Sequence, residues 1–239
     1  MAKRPVPALS TDFSNVLSFL TEHRIVPLSP PGSLLDIARR IHNATYSLIL
    51  WRFRLRRLSE SGRPFIEEIA SDALQILPQV MMGYGKTAKL LTRGVIENAL
   101  RHIYFSDHPV EFDRMNREAK WYLTQEFLFD YPKTHPVFIE SERRFDAVNR
   151  LSSLYSELSA GIHGRRVTDL EMRVALGKIR YSEDAANREA PLIERCAEAV
   201  NFLLAMFHRD KMRSFQVEDR RIILQTMPSK ARLVWKEEA

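Results

Sequence analysis

The amino-acid sequence predicts an all-α protein, and three observations support that fold class. Glycine is scarce, at 8 of 239 residues, whereas sheets with tight turns and phosphate-binding loops usually contain more of it. Leucine, alanine, glutamate, arginine and methionine dominate the long segments, and all five residue types favour helices. Along those segments apolar residues recur three and four positions apart, which is typical of helices that bury one face. We therefore expect a helical bundle.

The N-terminal residues 1–32 are predicted to form an extended, proline-rich arm around one short helix. Five of the twelve prolines lie there, and proline lacks the backbone N–H that a helix interior needs. The short helix is expected from Asp12 to about His23, with Ser10 or Thr11 as its N-cap.

Residues 33–212 are predicted to form the bundle itself, as long helices joined by short connections. The expected helices run from Ser33 to Ser59, from Pro64 to Pro78, from Thr87 to Ser106, from Pro109 to Phe129, from Pro136 to Gly161 and from Ala185 to Met212. Pro78 is expected to kink or end the second of these helices. Before the last helix, Val174, Leu176 and Ile179 fit either a short strand or a loose helix. Residues 213–239 are predicted to add a short helix and a basic tail. The short connections favour one compact bundle over two domains.

Composition and motifs exclude several classes of protein. Cys196 is the only cysteine, so an intrachain disulfide and zinc sites built on thiolates are excluded. No apolar run reaches the roughly 20 residues of a membrane span, the basic start lacks the apolar segment of a signal peptide, and neither common glycine-rich nucleotide-binding loop occurs. His135 and His208 have no acidic or imidazole partner four residues further on. We therefore expect a cytoplasmic protein that uses neither a metal nor a cofactor.

The chain is basic, with a formal net charge of +6, and 27 of its 36 basic residues are arginine. The planar arginine side chain suits phosphate groups and the faces of nucleobases. A GC-rich genome, which enriches arginine everywhere, is the alternative explanation. The candidate nucleic-acid contacts are Arg52, Arg54, Arg56 and Arg57, which alternate with apolar residues, and the adjacent pair Arg165 and Arg166. The alternative for the first group is a solvated helix face.

Two of the predicted helices each carry a polar stripe at four-residue spacing. The stripes consist of Arg93, Glu97 and Arg101 on the first helix and of Tyr155, Ser159 and His163 on the second. If the two helices face each other, a carboxylate, two guanidiniums, an imidazole and two hydroxyls converge, which is the composition of a catalytic cluster. The alternative is an ion-pair ladder within one helix, worth a few tenths of a kcal/mol per pair. His163 then lies near a helix C-terminus, where a cation is favourable.

Both stripes belong to strings that resemble the HEPN superfamily of helical bundles. The strings are Arg93-Gly-Val-Ile-Glu97-Asn-Ala-Leu-Arg101-His102-Ile-Tyr104, then His108-Pro109, and later Tyr155-Ser-Glu-Leu158-Ser159-Ala-Gly-Ile-His163-Gly164. The pattern is similar to a bacterial branch that pairs an R-x3-E helix with a Y-x2-L-S-x3-H-G helix end. The resemblance covers roughly residues 35–210, without the proline-rich start and the basic tail.

The resemblance implies an RNA-directed function. Many HEPN proteins are metal-independent ribonucleases of toxin–antitoxin, abortive-infection and phage-defence systems, with an arginine followed after roughly four to six residues by a histidine. Arg101 and His108 have that spacing, whereas His163, the more family-like histidine, has no arginine at that distance before it. In the resembling family the site is commonly completed across a two-fold dimer, so the resemblance also implies a homodimer.

We therefore predict a metal-independent endoribonuclease, or an RNA-targeting effector, of a bacterial toxin or antiphage defence system. A histidine would act as acid or base and arginines would hold the phosphate. The candidate catalytic residues are His163, Arg101, Arg93, Glu97, His108, Tyr155 and Ser159. Expected partners are RNA, a second copy of the chain and a partner protein in a defence or toxin–antitoxin complex.

The alternative is a non-catalytic HEPN-like helical module that binds RNA, nucleotide or a partner protein, and whose polar cluster is structural. Buried polar networks of that kind specify one packing arrangement. The two hypotheses differ in what they expect of the fold. An enzyme needs His163 and Arg101 to be open to solvent, whereas a structural cluster seals both inside the bundle.

Overall fold

The amphipathic segments of the sequence fold as α-helices, which confirms the predicted fold class. The computed structural model describes residues 8–55, 57–163, 175 and 179–232, with the backbone alone for residues 140–144, and no strand occurs within those ranges. The helices are α1 (Ala8–Glu22), α2 (Gly32–Arg54), α3 (Arg63–Met81), α4 (Gly85–Asp107), α5 (Pro109–Arg117), α6 (Gln125–Thr134), α7 (Pro136–Phe145), α8 (Ala147–His163), α9 (Glu183–Phe207), α10 (Arg209–Arg213) and α11 (Val217–Thr226).

Helix α4 is central to the bundle because apolar side chains cover most of its circumference. Val95, Ile96 and Ile103 are fully buried, and the helix packs against α3, α8 and α9. Helix α2 packs against α3 and α9 in turn, so these helices enclose one continuous apolar core. Leu90, which the periodicity assigned to the apolar face, is exposed. It lies five residues before Val95 and therefore about 140° away from it around the helix.

Three of the predicted helices are interrupted in the structure, so their predicted lengths were wrong. The breaks separate α5 from α6, α7 from α8 at Asp146, and α9 from α10 at His208. Asp146 has a φ of 51°, in the left-handed region that aspartate adopts more readily than most residues. Its carboxylate also accepts a hydrogen bond of 2.7 Å from the Asn149 amide. Pro78, in contrast, lies inside α3, which continues to Met81.

The predicted short helix near the N-terminus is α1, which begins at Ala8 and lies against α2. It buries only Phe13 and Leu20. At the other end of the chain, α11 packs against α2 and α9. Residues 1–7 and 233–239 lie outside the described residues, and so do Val174 and Leu176 of the segment with a weak pattern. Ile179 is described and belongs to no regular element.

A buried polar side chain fastens α11 to the core. Trp51 of α2 is fully buried, and its indole N–H donates a hydrogen bond of 2.7 Å to the Asn201 carbonyl oxygen on α9. The Asn201 amide nitrogen donates in turn to Ser47 at 2.7 Å and to Thr226 of α11 at 2.8 Å. Because every polar atom of the Asn201 amide has a partner, the group rigidifies this junction at little cost in desolvation.

Two buried histidines join α4 to the break between α9 and α10. His102 Nδ1 lies 2.8 Å from the Gly62 carbonyl oxygen, and its Nε2 lies 2.7 Å from His208 Nε2. Nδ1 of His102 must therefore carry a proton, and with both rings neutral its Nε2 accepts the Nε2–H of His208. Burial lowers the pKa of both imidazoles below the ordinary histidine value, and the neighbouring His102 lowers that of His208 further.

Among the helices of the described ranges, none combines the length and the apolar character that a membrane crossing requires. The longest of them, α9, carries seven charged residues between Glu183 and Glu198.

The histidine pair predicts that acid destabilises the fold. Below pH 6.5, the ordinary histidine pKa, the unfolded chain takes up protons on both imidazoles while the folded protein does not. The free energy of unfolding should therefore fall as the pH drops from 8 to 5, and urea unfolding across that range measures it. In His208→Gln the amide still donates to His102 but does not titrate, so the decline should be shallower. An equal decline in the wild type and in His208→Gln would contradict the neutral pair.

Candidate functional site

The polar stripe of α4 faces the C-terminal half of α8. Because Arg93 contacts His163 and Glu97 contacts Tyr155, residue numbers rise along α4 as they fall along α8, and the two helices are antiparallel. The sequence prediction that the two stripes meet is therefore confirmed for these four residues. We call Arg93, Glu97, Tyr155 and His163 the Arg93 cluster.

Hydrogen bonds connect every member of the Arg93 cluster. The Arg93 Nε–H donates to Glu97 Oε1 and to the Tyr155 hydroxyl oxygen, both at 2.9 Å. The Tyr155 hydroxyl donates to the same carboxylate oxygen at 2.7 Å. The Arg93 guanidinium also lies over the Tyr155 ring, 4.9 Å from its centroid, and its Nη1 lies 3.2 Å from His163 Nε2. Glu97 and Tyr155 therefore hold the Arg93 side chain in place, and the imidazole of His163 lies at the outer end of the guanidinium.

Solvent reaches the outer part of the Arg93 cluster. His163 is exposed, while the side chains of Arg93 and Glu97 retain 23% and 19% of their accessible surface. Arg101 lies one turn further along α4, 40% exposed, with its guanidinium 3.9 Å from Glu97. Neither His163 nor Arg101 is sealed inside the bundle, which is the arrangement that an enzyme requires.

The environment of the cluster keeps its acid–base groups in defined states. Burial raises the pKa of Tyr155 to about 12, and the hydrogen bond to Glu97 raises it in the same direction, so the hydroxyl stays protonated and donates. Burial lowers the pKa of Arg93, but Tyr155 and Glu97 together outweigh that effect and raise it overall. The guanidinium is consequently a permanent cation beside the exposed imidazole.

A buried carboxyl group lies behind the cluster on α3. Asp72 approaches Gly94 so closely that a Cβ at this glycine would lie 2.5 Å from its Oδ2, so the absence of a side chain at residue 94 makes room for it. Burial raises the pKa of Asp72 to about 6, and the charges of Glu68 and Glu97 add to the rise. Asn98 donates a hydrogen bond that partly opposes this rise.

Two predicted site residues lie apart from the Arg93 cluster. Ser159 is buried, and its hydroxyl has no hydrogen-bond partner among the described residues, so it faces the interior rather than the stripe. His108 lies at the far end of α4, stacked on Tyr104 with ring centroids 4.3 Å apart. Its Nδ1 is 2.9 Å from the Tyr104 carbonyl oxygen. The arginine–histidine spacing from Arg101 to His108 therefore corresponds to no direct contact.

The predicted nucleic-acid contacts at the end of α2 and just after it differ from one another in their surroundings. Arg54 forms an ion pair with the buried Asp219 and donates to Gln216, which gives it a structural role between α2 and α11. Arg52 is exposed, with its guanidinium 5.8 Å from the centroid of the Phe53 ring, and Arg57 is exposed as well. Arg56, Arg165 and Arg166 lie outside the described residues.

The sequence analysis missed two features of the site. Lys89 lies one turn before Arg93 on the same stripe and approaches Gly161 of α8, since a Cβ at that glycine would lie 3.1 Å from its Cδ. The four-residue spacing was available as a signal, because 89, 93, 97 and 101 form one series. Phe129 of α6 packs edge-on against Tyr155, with 5.5 Å between ring centroids, and no sequence signal indicates a contact between segments so far apart.

Comparison with known proteins gives no match to any family model, curated protein or solved structure. The HEPN-like resemblance therefore stays a prediction. Within the described part of the chain, histidine, cysteine, aspartate and glutamate form no group of three or more that is arranged to hold a metal ion. What the Arg93 cluster offers chemically is a fixed cation next to an imidazole on an open surface, and such a pair suits an anionic ligand such as a phosphate group.

Removal of the Tyr155 hydroxyl should destabilise the protein. Tyr155→Phe keeps the ring that packs on Arg93 and Phe129 but leaves Glu97 and Arg93 each with one partner fewer. We expect a loss of about 1 kcal/mol in the free energy of unfolding, measured by urea unfolding at pH 7. Tyr122→Phe is the matched control, because that ring is 77% exposed. Equal stability of the two variants would contradict the hydrogen-bond geometry.

Asp72→Asn should stabilise the protein at high pH. The raised pKa of Asp72 means that ionisation is disfavoured in the fold, so stability present below pH 3.8 is lost as the pH rises through about 6. A neutral amide avoids that loss. We expect a gain at pH 8 of about 1 kcal/mol, because solvent screening leaves only part of the energy that the raised pKa corresponds to. Urea unfolding at pH 8 and pH 4 measures it, with the exposed Asp36→Asn as control. A gain that is equal at both pH values would exclude the titration of Asp72 as its cause.

Proposed function

We propose that the protein is a metal-independent endoribonuclease, an RNA-targeting effector of a bacterial toxin or antiphage defence system, and that the Arg93 cluster is its site. The observation that supports this function best is the contact of 3.2 Å between Arg93 Nη1 and the exposed His163 Nε2. Cleavage of RNA without a metal needs a group that takes a proton and a cation that stabilises charge on phosphorus oxygens. This contact supplies both within one hydrogen bond.

The protonation state of His163 follows from its partner. A guanidinium only donates hydrogen bonds, so Nε2 accepts, and the neutral ring carries its proton on Nδ1. An RNA phosphate competes for Arg93 and frees the Nε2 lone pair. Nε2 then takes the proton of the ribose 2′-hydroxyl, the 2′-oxygen bonds to phosphorus, and the bond from phosphorus to the 5′-oxygen breaks. Solvent protonates the departing 5′-oxygen, which leaves a 2′,3′-cyclic phosphate and a 5′-hydroxyl.

The other members of the cluster position Arg93 in this proposal. Glu97 and Tyr155 hold its Nε, so its Nη atoms point to the open edge near His163. Arg101, 40% exposed, provides a second cation for the adjoining phosphate. The excess of basic residues in the chain favours an RNA partner at long range.

The resemblance also implies a homodimer and a partner protein in a defence or toxin–antitoxin complex, and both belong to this proposal. In a homodimer, the second His163, in its protonated form, would replace solvent as the source of the proton for the 5′-oxygen. Light scattering of the purified protein measures the number of chains directly.

A second function, a non-catalytic module that binds RNA or a partner protein, is favoured by one specific observation. Arg93, Glu97 and Tyr155 satisfy one another almost completely, as structural clamps do. If Glu97 and Tyr155 never release Arg93 to a phosphate, the hydrogen bond from Arg93 continues to occupy the lone pair of His163 Nε2. The surface then binds RNA without cleaving it.

Cleavage of a labelled RNA by the purified protein in excess EDTA tests the proposal. We expect products with 2′,3′-cyclic phosphate ends, and a rate lower by at least about 100-fold in His163→Ala, which is the usual effect of losing a general base. Because His163 is exposed, this variant should keep the wild-type unfolding curve. The matched control is His23→Ala, which removes an exposed histidine from the region after α1.

Equal cleavage by His163→Ala and wild type would overturn the assignment of the site. Intact RNA together with binding that weakens as salt rises would favour the second function, and Arg101→Ala should then reduce that binding.

A further inference from the structure

A cavity of about 230 Å³ lies between the N-terminal half of α8 and the middle of α9, and we call it the α8–α9 cavity. Apolar side chains form most of its wall. Phe145, Leu154 and Phe202 are buried at its floor, and the two phenylalanine rings meet edge-on with their centroids 5.3 Å apart. An apolar cavity of about 150 Å³ already holds a benzene ring. The α8–α9 cavity therefore has room for a ring and a few further atoms.

The polar groups of the α8–α9 cavity lie at its mouth. Four of the described lining residues are polar, namely Arg150, Ser153, Arg195 and Glu198. The first three are exposed and Glu198 is half-buried. The cavity therefore changes from charged at the mouth to apolar at the floor. A ligand that fits it has one charged end and one apolar end.

Glu198 is a carboxyl group without a direct partner. Burial raises its pKa, and the charges of Arg150, Arg232 and Arg195 only partly oppose that rise. The three guanidinium groups are close enough to act on Glu198, but none of them lies within the 4.0 Å of an ion pair. Arg232 lines a neighbouring cavity, whereas Arg150 and Arg195 line the same one as Glu198. A gap therefore separates opposite charges at the mouth.

Both arginines at the mouth keep hydrogen-bond donors for a ligand. Arg150 uses one N–H to donate to a backbone carbonyl, and Arg195 uses one to donate to Glu157 at 2.9 Å, out of the five that each guanidinium carries. The Ser153 hydroxyl donates to a backbone carbonyl of its own helix at 3.0 Å, so it offers a ligand its lone pairs. The mouth thus combines positively charged donors with the acceptors of Ser153 and Glu198.

This combination of charges disfavours most small molecules. A carboxylate alone is attracted by the two arginines but repelled by Glu198, and an amine alone meets the reverse. A molecule without charge would remove water from these groups and replace it with nothing. A zwitterion, in contrast, presents an ammonium group to Glu198 and a carboxylate to the arginines at the same time.

We propose that the α8–α9 cavity binds a free α-amino acid with a large apolar side chain, of the size of phenylalanine. Its ammonium group donates to Glu198 and Ser153, its carboxylate accepts from Arg150 and Arg195, and its side chain occupies the apolar floor. This proposal does not depend on the ribonuclease proposal, because no residue of the Arg93 cluster lines this cavity.

Calorimetric titration of the full chain at pH 8 with three probes tests the chemistry. L-Phenylalanine should bind with a dissociation constant below about 1 mM. Phenethylamine, which lacks the carboxylate, and hydrocinnamate, which lacks the amino group, should each bind at least about tenfold more weakly, because each loses a charge-assisted contact and keeps a like charge nearby. Failure of L-phenylalanine to bind at about 1 mM overturns the proposal. An analogue that binds as tightly as L-phenylalanine overturns the assigned recognition.

Two matched variants test the location, since each changes one glutamate of α9 to glutamine. Glu198→Gln removes the carboxylate from the mouth. Glu194→Gln, one turn earlier, changes a residue that does not line the α8–α9 cavity and that pairs with Arg40 at 2.7 Å. Both variants should keep the wild-type urea unfolding curve, because Glu198 has no direct partner and the other ion pair is exposed.

Binding of L-phenylalanine should fall at least about tenfold in Glu198→Gln and stay unchanged in Glu194→Gln. Equal binding by the two variants would place the amino acid elsewhere and overturn the proposal.

Discussion

The burial of α4 is the constraint on which the rest of this structure depends. Its apolar side chains require cover from α3, α8 and α9, and that cover leaves a narrow strip of the helix facing the edge of α8. Arg93 and Glu97 occupy the strip. Because the apolar face determines the rotation of α4, it also determines that these charges meet Tyr155 and His163 rather than solvent alone. Core packing and site geometry are therefore consequences of the same helix orientation.

Buried polar groups then select one arrangement of the surrounding helices. The histidine pair ties the end of α9 at His208 to α4, and the Asn201 amide ties α11 to α2 and α9. Apolar contacts alone tolerate small sliding movements, whereas each of these hydrogen bonds leaves an unpaired buried atom if the helices shift. The cost of that mismatch is what gives the bundle one packing arrangement.

Helix α3 lies between the Arg93 cluster and a cavity of about 500 Å³ that it lines together with α1 and α2. Asp72 faces α4 and the Arg93 cluster, whereas Leu74, two residues later and thus about 200° around the helix, faces the cavity under α1. The Arg93 cluster places guanidinium groups near solvent, whereas the described residues that line the cavity include the carboxylate of Asp12 and neither lysine nor arginine.

The sequence by itself determined the helical fold class, the approximate position of most helices and the two polar stripes, because the periodicity of apolar and polar residues is local information. It also indicated that Arg93, Glu97, Tyr155 and His163 belong together. Only the tertiary structure decided that Ser159 faces inward, that Arg54 is held by Asp219 and that helices break at Asp146 and His208. Arg54 and His208 depend on partners far away in the chain, namely Asp219 for Arg54 and His102 for His208. Periodicity says which face of a helix is buried, but the partner on that face is set by how all the helices pack at once.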